Sequence, residues 1–145
     1  MSWPPHLTVA TVVEQHGKFL MVEESIDGEL VLNQPAGHLE PGETLFEAAL
    51  RETLEETAWR VELTGIVGIY HYYAPAADIT YHRIAFAASA IEDSGRALDA
   101  DISAAHWLSL DEIRGRPRRS PLVIQTIEDY QTKSPAPLSF LRHQG

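Results

Sequence analysis

The sequence predicts a mixed α/β fold (α+β), in which helices pack on a mixed β-sheet. Three observations predict it. β-branched and apolar runs of strand length recur from residue 6 to residue 108. One uninterrupted amphipathic helix pattern sits mid-chain, over 45–57. A second helix opens near the C-terminus at Ser120-Pro121.

"HLTVATVVE" and "KFLMVEE", separated by "QHG", predict a hairpin. "ELVLNQ" predicts a short strand after the turn "SIDG". "GHLEPGE" reads as a loop. "RVELTGIVGIYHYYA" and "YHRIAFAASAI" read as two long strands joined through "PAADIT". "SGRALDAD" is a polar connection, "AAHWLS" a short strand, and "SLDE" the capping box of a short helix. Ser120 as N-cap with Pro121 at the first helical position opens a helix through about Tyr130. The expected organisation is one domain over 1–145, with 134–145 an irregular tail docked by Leu138, Phe140 and Leu141.

Net charge is −10, which disfavours a broad grip on nucleic acid polymer or an acidic membrane. Free nucleotides and other small phosphates remain open, because a bound cation can invert local charge. Cysteine is absent, which excludes disulfides and thiolate metal sites. No apolar run is long enough to span a bilayer. The start, "MSWPPHLTVA", lacks the basic-then-apolar layout of a signal peptide, so a cytoplasmic location is expected.

The helix over 45–57 carries an electrostatic conflict. Thr44 and Glu47 form its capping box, and Phe46, Leu50, Thr53, Leu54 and Thr57 its expected packing face. Glu52, Glu55 and Glu56 fall together on the other side. Glu52 and Glu56 are an i,i+4 like-charge pair, destabilising by roughly 0.2–0.5 kcal/mol when exposed. Glu55 and Glu56 also occupy the last turn, where the helix dipole disfavours anions. Partial burial would deepen the repulsion. A divalent cation would reverse it, since carboxylate oxygens suit Mg²⁺, Mn²⁺ and Ca²⁺. Ala48 and Ala49, one turn earlier, leave room for another chain segment or a ligand.

"GHLEPGETLFEAALRETLEETAW" resembles the Nudix box. Gly37, Glu43, Arg51, Glu52, Glu55 and Glu56 stand at that motif's spacings. Thr53 replaces an aliphatic residue, Ala58 the last glycine, and Trp59 fills the final apolar place. Ala58 implies that the helix exit need not be left-handed, or uses another cap. The resemblance implies a Nudix-type α/β/α sandwich with a mixed β-sheet. It implies Mg²⁺, or Mn²⁺ in its place, held by Glu52, Glu55, Glu56 and the Gly37 carbonyl. It also implies an orienting ion pair between Arg51 and Glu43. "HLTVATVV", "GKFLMVEE", "LNQPAGHLEPGET" and "RSPLV" extend the likeness to the bacterial NudJ-type subgroup over roughly residues 6 to 130. That subgroup implies action on nucleoside tri- and diphosphates and on thiamine-related pyrophosphates. The working unit is expected to be a monomer or homodimer.

Such chemistry needs water placed in line with phosphorus and a group to take its proton. The family often places an acidic residue before a late "W" strand, and Asp101, six residues before Trp107, matches. Asp99 and Glu92 are rivals, and Glu55 or Glu56 could serve instead. Asn33 and Gln34 could hydrogen-bond a base or pyrimidine ring, or satisfy backbone near a strand end. Tyr72 or Tyr73 could stack on a heterocycle. Arg83 could meet a phosphate or pair across strands with Glu62 or Glu92. "RGRPRR" gathers Arg114, Arg116, Arg118 and Arg119 against the overall charge. Arg119 is favoured for phosphate capture because it precedes a helix N-terminus. The expected activity is Mg²⁺-dependent phosphoanhydride hydrolysis that releases phosphate from a small phosphorylated substrate. The alternatives are an ADP-ribose-type or housecleaning pyrophosphatase that releases a nucleoside monophosphate, a non-catalytic nucleotide-binding module, and a Ca²⁺-binding acidic domain.

Overall fold

The computed structural model describes residues 3–144; Met1, Ser2 and Gly145 of the expected 1–145 span lie outside them. Seven strands form one mixed sheet that splays into two wings. β1 (His6–Gln15) and β2 (Lys18–Ile26) make the expected hairpin. Its two-residue turn uses His16 at φ 55° and Gly17 at φ 77°, the left-handed pair that tight hairpins require. The two strands pair only at Glu14–Phe19 and Gln15–Lys18 and then part company.

In one wing β1 lies between β4 (Ala36–His38), antiparallel, and β6 (Ile79–Asp93), parallel. β5 (Trp59–Ala74) flanks β6. In the other wing β2 lies between β3 (Glu29–Asn33) and β7 (Ile102–Leu108). The stretch expected as a loop from Gly37 therefore begins as a short strand. Its residues gain ladder partners from Thr8, Val9 and Ala10, which local sequence cannot reveal.

β1 is buried on both faces over Thr8–Val13, and its alternation separates two cores. Val9, Ile84 and Phe86 pack under α1 (Leu45–Thr57) with Ala48, Ala49 and Ile66. Val12 packs with Phe19, Met21, Leu32, Ile113, Val123 and Ile127 under α2 (Leu110–Arg114) and α3 (Leu122–Thr132). The sheet is thus sandwiched between helical layers, as expected. α3 starts one residue later than expected. Pro121 is its N-cap, and Ser120 Oγ accepts from the Leu122 N–H at 3.2 Å.

Two corrections concern packing. α1 buries Ala48, Ala49, Thr53 and Thr57, whereas Leu50 is exposed. The small residues decide the face because they admit the sheet closest. The tail is also better ordered than expected. Ile66 and Ala136 exchange both backbone hydrogen bonds at 2.8 Å, and Leu138–Phe140 forms a 3₁₀ turn. Gly65 permits this docking, since a Cβ there would press on Pro135. Leu138 and Leu141 join the α1-side core, but Phe140 is 77% exposed and docks nothing. His143 Nε2 accepts from the Leu45 N–H at 3.2 Å, so the tail satisfies an orphan donor at the start of α1.

Thr53 hydroxyl donates to the Ala49 carbonyl at 2.8 Å, which leaves its oxygen to accept from Thr11 at 2.8 Å. Both residues are fully buried. Thr53→Val should therefore strand the Thr11 hydroxyl and cost about 1–3 kcal/mol. Adding Thr11→Val should recover most of that loss. Denaturant unfolding of both variants checks it, and a double variant as weak as the single one would contradict it.

Candidate active site

α1 places the acidic groups, and its two ends are well determined. Thr44 Oγ1 accepts from the Glu47 N–H while the Glu47 carboxylate accepts from the Thr44 N–H, a complete capping box. At the other end Ala58 stands at φ 67°, ψ 1°. The exit is left-handed after all, with alanine where the conformation favours glycine. Ala58 N–H bonds the Leu54 carbonyl at 2.9 Å, and its own carbonyl accepts from both the N–H and the hydroxyl of Ser94. These contacts hold a residue that carries a conformational cost of about 1 kcal/mol.

Arg51 is the hub. Its Nε and Nη2 fork onto Glu43 at 2.6 and 3.0 Å, the expected orienting pair. Nη1 reaches Glu52 at 2.6 Å, Glu55 at 3.0 Å and Glu40 at 3.3 Å, and Nη2 also donates to the His38 carbonyl. The fork thus grips Glu43, and not Glu55 as helical spacing alone would suggest. Arg51's hydrogen bonds hold the Glu43 carboxyl below its ordinary range. The guanidinium itself is held more firmly protonated than usual, first by Glu43 and then by Glu52 and Glu55.

Glu52 and Glu56 are largely withdrawn from water. Burial pushes the Glu52 carboxyl up against the opposing pull of Arg51. Glu56 is pushed up to about 8, first by burial and then by Glu52, Glu24 and Asp99 around it. One hydrogen bond, from the Ala36 N–H at 3.0 Å, works the other way. Gly37 lies against this face so closely that a Cβ there would collide with the Glu52 carboxylate. The glycine is required for close approach and not for its φ.

Such a donor set fits a hard divalent cation: three carboxylates, a backbone carbonyl at Gly37, and surplus negative charge in a low-dielectric place. Among the described residues no three acidic or imidazole groups converge on one point as the side chains stand. Arg51 occupies Glu52 and Glu55 instead, so a cation would draw those two carboxylates off the guanidinium.

The acidic face opens into a cavity of about 480 Å³ in the cleft between the two wings. Gly37 and Glu56 line one side of it, and Asn33, Arg83 and Arg119 are also in its wall, with Tyr72 and Tyr81 beside Ala74. Asn33, Tyr72, Arg83 and Arg119 are thus brought together with the acidic helix. Gln34 is not: it is 1% exposed, donates to the Val123 carbonyl at 2.8 Å, and ties β3 to α3. Its amide N–H satisfies backbone, and the side chain does not line the cavity. Tyr73 is turned outward and bonds Asp78.

Among the four clustered arginines only Arg119 reaches the cavity. Arg114 pairs with Glu128 at 3.0 Å, Arg116 with Glu23, and Arg118 donates to the carbonyls of Ile113, Arg114 and Arg116. Their charges are committed to holding the α2–α3 connection. Arg83 pairs with neither Glu62 nor Glu92; Glu92 takes Arg60 at 3.2 Å. Asp101 is exposed, whereas Asp99 is half-buried and its N–H bonds the Glu55 carbonyl at 3.0 Å. Burial and then Glu55 raise the Asp99 carboxyl, so it is the loop acid electrostatically joined to the helix face. Glu24, which pairs with Arg119 at 2.8 Å and lines the cavity, had no signal in the sequence. Only the β2–β3 register brings it there.

Comparison with known proteins agrees with the motif. Residues 4–126 match the model of the NUDIX domain family. The chain belongs to the Nudix family. It is 42% identical over 140 residues to Phosphatase NudJ of Escherichia coli (strain K12), covering 94% of this chain and 90% of that protein. The same figures hold for Phosphatase NudJ of Shigella boydii serotype 4. A Nudix hydrolase from Nitrosomonas europaea superimposes with a TM-score of 0.93 at 44% identity, covering 97% and 98% of the two chains. The Nudix domain of Shewanella oneidensis NrtR, solved with ADP ribose, shares the fold at a TM-score of 0.71 and 18% identity over 90% and 91%. This Nudix chain is a hydrolase, and two of its three departures from the box now have physical explanations. Thr53 has Thr11 as a buried partner, and Ala58 is anchored by Ser94.

Glu56 binds its proton more tightly in the folded Nudix chain than in the unfolded one. The stability this contributes is complete below the ordinary glutamate range and is lost as pH rises through about 8. In chelator, wild-type protein should therefore lose more melting temperature between about pH 5 and 9 than Glu56→Gln, by about 3 °C or more. Millimolar Mg²⁺ should restore the wild type at the alkaline end and leave the variant unchanged. Calorimetric melting across pH checks it; parallel curves would contradict it.

Proposed function

We propose that this Nudix hydrolase cleaves phosphoanhydride bonds in nucleoside tri- and diphosphates or thiamine-type pyrophosphates, such as thiamine pyrophosphate and hydroxymethylpyrimidine pyrophosphate, releasing phosphate. One observation carries the reading: Glu56 of the acidic α1 face and Gly37 share a cavity with the cationic side chains Arg83 and Arg119. A polyphosphate suits such a divided site. The name Phosphatase NudJ, borne by relatives 42% identical, supports phosphate as the product.

Glu52, Glu55 and Glu56, with the Gly37 carbonyl, would hold Mg²⁺ or Mn²⁺, which when bound supplies charge neutralisation for the phosphate oxygens and a lowered pKa for water. Arg51, fixed by Glu43, holds Glu52 and Glu55 beside that place until a cation draws them off. Water attacks phosphorus, the bond from phosphorus to the bridging oxygen breaks, and that oxygen leaves on the organic phosphate. The water proton goes to a carboxylate. We take Asp99 as that carboxylate, because its backbone N–H bonds the Glu55 carbonyl and Glu55 raises its carboxyl, while Asp101 is exposed. Tyr72 and Asn33, both in the cavity wall, would flank the heterocycle.

Purified protein with millimolar Mg²⁺ should release phosphate from at least one of GTP, ADP, thiamine pyrophosphate and hydroxymethylpyrimidine pyrophosphate, with products identified by mass. Nucleoside monophosphate appearing from ADP-ribose instead would favour the ADP-ribose-type reading. No turnover of any of them would leave a binding module. Glu55→Gln and Glu56→Gln should each lower kcat by roughly 10²-fold or more with ligand binding retained. Asp99→Asn should lower kcat by about 10²-fold and remove the acid limb of the pH profile, whereas Asp101→Asn should change it by less than about threefold. The reverse order would move the base to Asp101.

A further inference from the structure

Arg83 sits mid-strand in β6, paired with Thr8 of β1 and Tyr70 of β5. It is 8% exposed. Among the described residues it has no carboxylate within ion-pair distance. Its hydrogen bond is a long one, 3.4 Å to Asn33 Oδ1, and its Nη1 is buried without any partner. Burial pulls the guanidinium down to about 10, which still leaves it charged at neutral pH.

A buried cation with an unused donor is costly unless something neutralises it. The nearby acids are already engaged. Glu24 is bound to Arg119, and Glu56 accepts from Ala36. Arg119 itself adds a repelling positive charge. Arg83 nevertheless lines the same cavity as Glu56 and Gly37. The counter-charge has to arrive from outside, and it has to fit next to the acidic helix.

We propose that Arg83 receives the terminal phosphoryl group of the substrate, and so selects substrates ending in phosphate over those whose diphosphate is flanked on both sides. This rests on the phosphoanhydride reading above. A terminal phosphoryl group has three free oxygens and up to two charges. One oxygen can satisfy Arg83 Nη1 while the others face the carboxylate side. An internal phosphate has two free oxygens, one charge, and an organic group continuing past it. Thr8 and Asn33 line the same cavity beside Arg83, and the higher charge of a terminal group answers the unpaired Nη1 better than an internal phosphate does.

ADP and ADP-ribose test this directly, since they share the ADP portion and differ in whether its distal phosphate is terminal. Arg83→Met keeps the stem and removes the charge. It should lower kcat/KM for ADP by about 30-fold or more and change that for ADP-ribose by less than about threefold. It should also abolish the melting-temperature increase caused by inorganic pyrophosphate with Mg²⁺. Its own melting temperature should be equal to or above the wild type, because an unneutralised buried cation is gone. Arg83→Lys should retain part of the ADP activity and of the pyrophosphate shift.

Equal losses on both substrates, or no loss on ADP, would overturn the proposal. So would a fall in melting temperature with the pyrophosphate response intact, which would make Arg83 structural. If the wild type cleaves neither nucleotide, the catalytic reading fails. Pyrophosphate stabilisation that is lost in Arg83→Met would then still support the role of Arg83.

Discussion

The structure depends on the contact between Arg51 and Glu43. Three glutamates on one side of a helix repel one another, and the repulsion grows as the sheet covers them. Arg51 sits among them with both edges of its guanidinium in use. Its grip on Glu43 fixes the planar group from the loop side, and its remaining donors reach Glu52 and Glu55. Glu56 lies beyond that reach and retains its proton well above the ordinary range. The helix is thus stable enough to fold and still electrostatically unsatisfied, which is the condition for taking up a cation.

The same division of charge continues across the cavity. The hairpin of β1 and β2 holds together only at its tip, so the two wings open a cleft. Its carboxylates come from α1 through Glu56 and from Glu24 near the end of β2 and Asp27 just after it, and its guanidinium groups from β6 and the approach to α3. Most of the chain's clustered arginines are held by Glu23, Glu128 and main-chain carbonyls. Arg83 and Arg119 are left facing the cavity. A chain of net charge −10 can therefore present a locally cationic wall to a polyanion.

Small residues set the distances. Ala48 and Ala49 let α1 lie close on the sheet, and Gly37 lets the loop touch Glu52. Gly65 admits the tail, which returns to satisfy the first turn of the same helix through His143. Leu50, apolar and correctly spaced for a packing face, ends up exposed because the alanine side allows the closer approach.

The sequence by itself determined the helix of the site, its capping box, the spacing of Gly37, Glu43, Arg51 and the three glutamates, and the hairpin beside them. These are local: each follows from residues a few positions apart whose geometry the backbone dictates. Only the tertiary structure decided that Gln34 is a buried strut, that Asp99 and not Asp101 lies at the end of α1, and that Arg83 is left without a counter-charge. It also decided that Thr53 has Thr11 to bond and that Ala58 can be left-handed. Each of these depends on a partner 30 or more residues away, and burial, which sets both charge cost and hydrogen-bond demand, is a property of the assembled layers.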